Sequence, residues 1–362
     1  EIRSGDWSSD VCSSDLTAMK TYFNTNNLLA MALMSLAAAT GCDDGEGFGE
    51  GDVSERCLNG CSGIKLNTFQ FGKLEASELA RDPAEIHDGV RLAEVRLLCP
   101  LRDSKYYSSS PKACLDKQTT FKLDDVWSEQ GQLKGTAEGK TFKGDAFYKS
   151  QWFVEFYDEN KVMFDKVTLT VNKYEEQPGF FFYTFDYPNP INPKEVLPAC
   201  KDTLDPVTGQ SIGTKAVAIE DIAVDTDTGV IKQREKMVYI ACVSGAVGKA
   251  TTWKFRPYDP QIGAEYFTGI VRLVRADYCG DGDSWTTVGN ALQLADKWGY
   301  SGFAGTPGPT EALWTANGAA CLGTPRWVTE YKYEDVTCNG AKLEPCKPNA
   351  DLSTYADTVF WS

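Results

Sequence analysis

Twelve cysteines and a single histidine, His87, bound the chemistry open to this chain of 362 residues. With Cys12 and Cys42 set aside, Cys57, Cys61, Cys99, Cys114, Cys200, Cys242, Cys279, Cys321, Cys338 and Cys346 form an even set. Even numbers of cysteines in an exported chain read as a disulfide framework. A zinc cluster is the poorer reading, because Cys57 and Cys61 are the only close pair and no histidine accompanies them. Asp277, Asp281 and Asp283 surround Gly280 and Gly282, and such a loop offers calcium several oxygen ligands. It lacks the twelve-residue spacing of an EF-hand, and aspartate and glycine also favour turns on their own account. Calcium at these three aspartates is therefore one expectation and a plain turn the other; no further cofactor is implied. Asp225-Thr226-Asp227-Thr228-Gly229 is a second acidic turn of the same kind.

Two catalytic patterns fare less well. Gly209-Gln210-Ser211-Ile212-Gly213 spells a nucleophile elbow, which needs a strand before it and an acid and histidine after it. Here a turn at Asp205-Pro206 precedes it and the only histidine lies far upstream, so a loop is expected. Carboxylate pairs for glycoside cleavage are open to a chain with 51 acidic residues, but sequence spacing does not reveal a pair.

The elements that must position these residues read as mostly strands. Gln151–Tyr157 and Phe180–Phe185 are near-continuous apolar runs, and Val167-Thr168-Leu169-Thr170-Val171 alternates cleanly. Val90–Leu97 alternates imperfectly, while Leu133–Gly144 is broken by glycines into short turns. Asp158-Glu159-Asn160 and Glu175–Gly179 read as hairpin connections. An antiparallel β-sandwich or barrel-like unit over residues 57–190 follows. In Ala264–Arg275 the apolar residues at 266, 267, 270, 271, 273 and 274 have helical spacing, so a helix packed on a sheet is expected there. The overall class is α+β and β-rich.

The first residues read as an export signal behind a foreign stretch. Residues 1–18 have no period and resemble non-native read-through. From Met19, Lys20 supplies positive charge and Leu28–Ala39 an apolar core too short to span a bilayer. Thr40-Gly41-Cys42 then resembles a lipobox, with Cys42 acylated and the signal spanning residues 19–41. Cleavage that leaves Cys42 unlipidated is the alternative. Residues 42–56 are acidic and Gly-rich and read as a flexible tether. A net charge of −15 speaks against nucleic acid and anionic surfaces as partners.

The segment Arg275-Ala276-Asp277-Tyr278-Cys279-Gly280-Asp281-Gly282 resembles the signature of the ADYC domain, found in secreted and lipid-anchored proteins of myxobacterial type. The resemblance extends from Glu195 to Trp327. It takes in Leu197-Pro198-Ala199-Cys200, Lys215–Ile219, Met237–Cys242, Trp253–Tyr258 and Glu311–Cys321. Many members carry two further cysteines where this chain has Ala250 and Ile270, so one family disulfide is missing as a pair. The resemblance implies an ADYC-type unit at residues 191–327, followed by a C-terminal extension at 328–362. It implies no defined molecular activity.

Apolar stretches that end in cysteine suggest Cys200 with Cys242 and Cys279 with Cys321. Local spacing suggests Cys99 with Cys114, Cys338 with Cys346, and Cys57 with Cys61. Asp277 is expected to accept backbone hydrogen bonds or to pair with Arg275 or Arg256, Tyr278 to pack, and His87 to be exposed. The sequence thus reads as a lipid-anchored envelope protein, inner or outer membrane undecided, with a binding or structural role toward a protein or glycan. It reads as an enzyme less readily; the alternative is a secreted hydrolase with carboxylate catalysis.

Overall fold

A computed structural model describes residues 78–362, except 88, 101–110, 117, 159, 190–191, 201, 203–213, 226–227, 287–291, 302–309, 328 and 330–331. Cys42, Cys57, Cys61 and the segment Gly209–Gly213 lie outside the described residues. The first half supplies β1 (Glu78–Ala80), β2 (Val90–Leu98), the short helix α1 (Lys112–Leu115), β3 (Thr120–Lys122), β4 (Asp125–Glu129), β5 (Gln132–Ala137), β6 (Lys140–Lys143), β7 (Gln151–Tyr157), β8 (Met163–Gln177) and β9 (Phe180–Pro188). The second supplies β10 (Val196–Pro198), β11 (Ala216–Val224), β12 (Ile231–Cys242), the helices α2 (Ala246–Thr252) and α3 (Gly263–Arg275), and β13 (Ala295–Asp296). Then come β14 (Ala312–Thr315), β15 (Gly318–Leu322), β16 (Thr337–Cys338), β17 (Ala341–Lys342) and β18 (Phe360–Trp361).

One antiparallel sheet organises the molecule, in the order β1-β12-β11-β9-β8-β7-β2-β3, with β10 added to β9. It curls, so that β1 at one end also lies against β2 near the other. Inside the curl sits the first core, which includes Leu92, Trp152, Val154, Leu169, Tyr183, Phe185 and Val238, closed by the small sheet β4-β5-β6. Alternation explains who faces it: Trp152, Val154 and Phe156 of β7 are buried, while Phe153, Glu155 and Tyr157 between them are half-buried on the other face. Each large side chain buried here contributes about 1.5–3 kcal/mol.

The second core lies on the opposite face, between the sheet and helices α2 and α3. It begins where β11 and β12 lose their alternation. Ala216 to Ile219 and Met237 to Cys242 are buried at every position because both faces are covered there. The sheet therefore runs through the boundary expected at 190–191: β11 and β12 extend the same sheet as β7 to β9. The expected helix forms at Gly263–Arg275, burying Phe267, Ile270, Val271 and Leu273. Gly269 allows its close approach to the β14–β15 turn, since a Cβ there would lie 2.9 Å from the Thr315 carbonyl oxygen.

The tail beyond residue 328 is stitched into this body. β18 pairs with β14 and β13, and Phe360 is buried against Phe255. Among the described residues no helix is long and apolar enough to cross a membrane.

Candidate functional site

Helix α3 ends in a Schellman cap. The Asp277 N–H donates to the Arg272 carbonyl at 2.9 Å and the Ala276 N–H to the Leu273 carbonyl at 3.1 Å, with Ala276 left-handed at φ 53°. This reversal turns Asp277 back under the helix end, where it is 1% exposed. Its two carboxylate oxygens accept the N–H groups of Asp281, at 3.2 Å, and Gly282, at 3.0 Å, and so fold the loop that follows. Burial pushes its carboxyl up to about 6, against the opposing pull of Arg272.

The cation facing Asp277 is Arg272, with Nε 3.7 Å from Oδ2. Arg256, one of the two expected partners, lies elsewhere: it donates to the Gly179 carbonyl and sits over the Phe180 ring. Arg275, the other, donates to the Gly282 carbonyl at 3.0 Å, and its charge also pulls the Asp277 carboxyl down, less strongly than that of Arg272. Arg272 also donates to the carbonyls of Ala316 and Gly280, both at 2.7 Å. These bonds fix the signature loop onto the β14–β15 turn. Gly280 is required there, because at φ +69° a Cβ would stand 2.0 Å from the Asn317 carbonyl oxygen.

Tyr278 packs as expected, 1% exposed and stacked on Trp314 at 5.3 Å. Its hydroxyl donates to Glu311 and accepts the N–H of Arg326. Arg326 holds Glu311 in a fork of two bonds, at 2.9 and 3.0 Å, and donates to the helix-end carbonyls of Leu273 and Val274. Sequence reasoning missed this pair. Cations are favoured at a helix C-terminus, but this one comes from 52 and 53 residues away, beyond any local signal.

Asp277, Asp281 and Asp283 are not drawn together as one group of metal ligands. Among the described residues no three His, Cys, Asp or Glu side chains group to hold a metal ion. The reason is local: Asp277 is turned inward onto two amides, and Asp281 accepts the N–H of Asp283. Asp225 likewise accepts the Thr228 N–H and closes its own turn. His87 is half-buried rather than exposed, its backbone bonded in both directions to Val90.

Among the described residues there are four disulfides. Cys99–Cys114 and Cys200–Cys242 join as expected, each with Cα atoms 5.4 Å apart. Cys279 bonds to Cys338 rather than Cys321, and Cys321 to Cys346 rather than leaving Cys346 to Cys338. The cause is that Glu311–Ala320 is not one strand but a hairpin. Gly318 and Ala319 come back beside Tyr278, and the chain then carries Cys321 on toward the small core of Leu313, Ala350 and Trp361.

The described surface also carries a groove of ≈ 680 Å³ across β2, β7 and β8, walled by Tyr187, Pro188 and Pro193. Phe153 lies at its floor, with Arg96 over the ring at 5.7 Å. Two of its carboxylates are paired, Glu94 with Arg96 and Glu155 with Arg91, while the third, Asp165, accepts the Lys166 N–H. Burial pushes the Glu155 carboxyl up, but the Tyr157 hydroxyl and the Arg91 guanidinium outweigh it and hold it below the usual range.

A family model for the ADYC domain matches residues 144–328, beginning inside what reads as the first unit and ending at the tail. Neither a curated protein nor a solved structure matches the chain.

Proposed function

We propose that this chain, which belongs to the ADYC domain family, is an exported protein anchored to the cell envelope by acylation of Cys42, and that its folded body serves a binding or structural role. The observation that carries export is the set of four disulfides. Such bonds persist in oxidising compartments and are rare in the cytosol. The apolar run before Thr40-Gly41-Cys42 supports the anchor.

Two features support a non-catalytic body. The signature residues Asp277 and Tyr278 are buried and spend their polar atoms on the loop, the helix end and Glu311. The groove carboxylates Glu94 and Glu155 each face an arginine, and Glu155 is held ionised, which suits recognition better than the raised carboxyl of a general acid. Metabolic labelling with a fatty-acid analogue tests the anchor. The full chain should take up label and Cys42→Ala should lose it; a wild type that is exported but unlabelled overturns the proposal.

A further inference from the structure

Strand β8 runs for 15 residues, but its two edges are unequally covered. On one side β7 pairs with it from Met163 to Thr170; on the other β9 pairs only from Thr170 to Gln177. The ladder with β9 stops for a chemical reason. Continuing the register beyond Thr170↔Asp186 would set Thr168 opposite Pro188, which has no N–H to donate. There β9 turns instead to β10, pairing Pro188 with Val196.

The direction of the free groups follows from the next bonds along. Val171 exchanges hydrogen bonds with Lys149 and Ser150 on the β7 side. Peptide groups alternate sides along a strand, and the register from Asp165 to Thr170 is unbroken, so those of Thr168 and Lys166 point to the open side. The Lys166 N–H is met there only by its neighbour, the Asp165 carboxylate at 2.8 Å, among the described residues. Beside this edge Val162, Met163 and Phe164 are 59%, 47% and 53% exposed, and the groove opens onto it through Lys166, Val167 and Thr168. Unpaired strand edges with apolar flanks are templates for another strand.

We infer that the edge of β8 from Met163 to Thr168 takes up an extended peptide segment of a partner protein as an added strand, with an acidic side chain opposite Lys166. The backbone of the segment meets the outward N–H and C=O groups of Lys166 and Thr168, taking the place of the Asp165 carboxylate at the Lys166 N–H, and its apolar side chains lie over Phe153 and against Tyr187 and Pro188. Charge selects this occupant over a second copy. A twofold pairing centred on Asp165 or Lys166, the middle of the open stretch, sets like charges directly opposite each other, which is destabilising. The inference gives the proposed binding role a partner class. It is read at this edge alone, whereas labelling reads Cys42, so either can fail without the other.

The test uses the full chain and two capped nonapeptides of alternating threonine and valine, one with a central glutamate and one with a central lysine. The glutamate peptide should bind and slow hydrogen exchange at the amides of Lys166 and Thr168. The lysine peptide should bind more weakly by roughly two- to fivefold, the size of one cross-strand pair. Lys166→Glu should reverse that preference. Thr168→Pro, which removes an outward donor and leaves the β7 ladder intact, should abolish binding; Lys166→Glu decides the matter if that variant does not fold. Protection of these amides in the free monomer, protection only through a concentration-dependent dimer, or no response to either peptide overturns the inference.

Discussion

Arg272 and Asp277 face each other across the C-terminal cap of one helix, Nε to Oδ2 at 3.7 Å, with side chains 5% and 1% exposed. Burial lowers the pKa of Arg272 and raises that of Asp277, so the pair is held less by its mutual attraction than by the backbone bonds each makes to the loop. The signature of the family is in this sense a helix terminator. Arg272, Asp277 and Gly280 fold one turn and lock it to the β14–β15 hairpin.

Stability should therefore depend on pH through Asp277. Its carboxyl titrates at about 6 in the folded chain, against about 3.9 unfolded. Between these values the folded state holds the extra proton. This group's contribution is thus fully present below about 3.9 and is lost as pH rises through 6, a change of about 3 kcal/mol. Urea unfolding from pH 4 to pH 7.5 checks it: wild type should lose stability across that window relative to Asp277→Asn, in which the term is absent. Asparagine offers one acceptor oxygen to two amides, so at pH 4, before that loss sets in, the variant should be the less stable, by about 1–3 kcal/mol. An unchanged melting temperature with a lost binding function would make Asp277 a site residue instead.

Arg326→Met should be the most damaging single charge change in the second core. It strands Glu311, which is 9% exposed, and leaves the carbonyls of Leu273 and Val274 without their donor. Removing one partner of a buried pair costs about 3–5 kcal/mol. Chemical denaturation reads the loss, and the double variant Arg326→Met with Glu311→Gln should recover part of it. No recovery would show that Arg326 acts through the helix carbonyls alone.

What was legible in the sequence followed local periodicity. Helix α3 was visible because Phe267, Ile270, Val271 and Leu273 recur at helical spacing, and β7 because Gln151–Tyr157 is apolar, aromatic and bounded by turns. What depends on distant segments was not visible. Arg326 meets the helix end 52 and 53 residues away, and no spacing encodes that. The continuity of the sheet across residue 190 was hidden for the same reason, since β11 reaches β9 through the single register pair Ala216↔Tyr183. The β14–β15 reversal, by contrast, is encoded locally. Asn317-Gly318 is a hairpin dipeptide, and it sits where β14 reverses into β15.

That reversal decides which cysteines meet. A single strand through Glu311–Ala320 would have let Cys321 end beside Cys279. The hairpin instead delivers Gly318 and Ala319 to the signature loop and takes Cys321 past it. Cys279 is left to close on Cys338 across 59 residues, and Cys321 on Cys346 across 25. The tail is then no appendage but a strap with two rivets, one on the loop and one on the hairpin. Non-reducing peptide mapping should recover Cys279 joined to Cys338 and Cys321 joined to Cys346. Replacing Cys279 and Cys338 together by serine should cost about 2–5 kcal/mol and free the tail to proteolysis around Thr337 before the main sheet opens. A peptide joining Cys279 to Cys321 would refute the hairpin geometry and restore the strand reading.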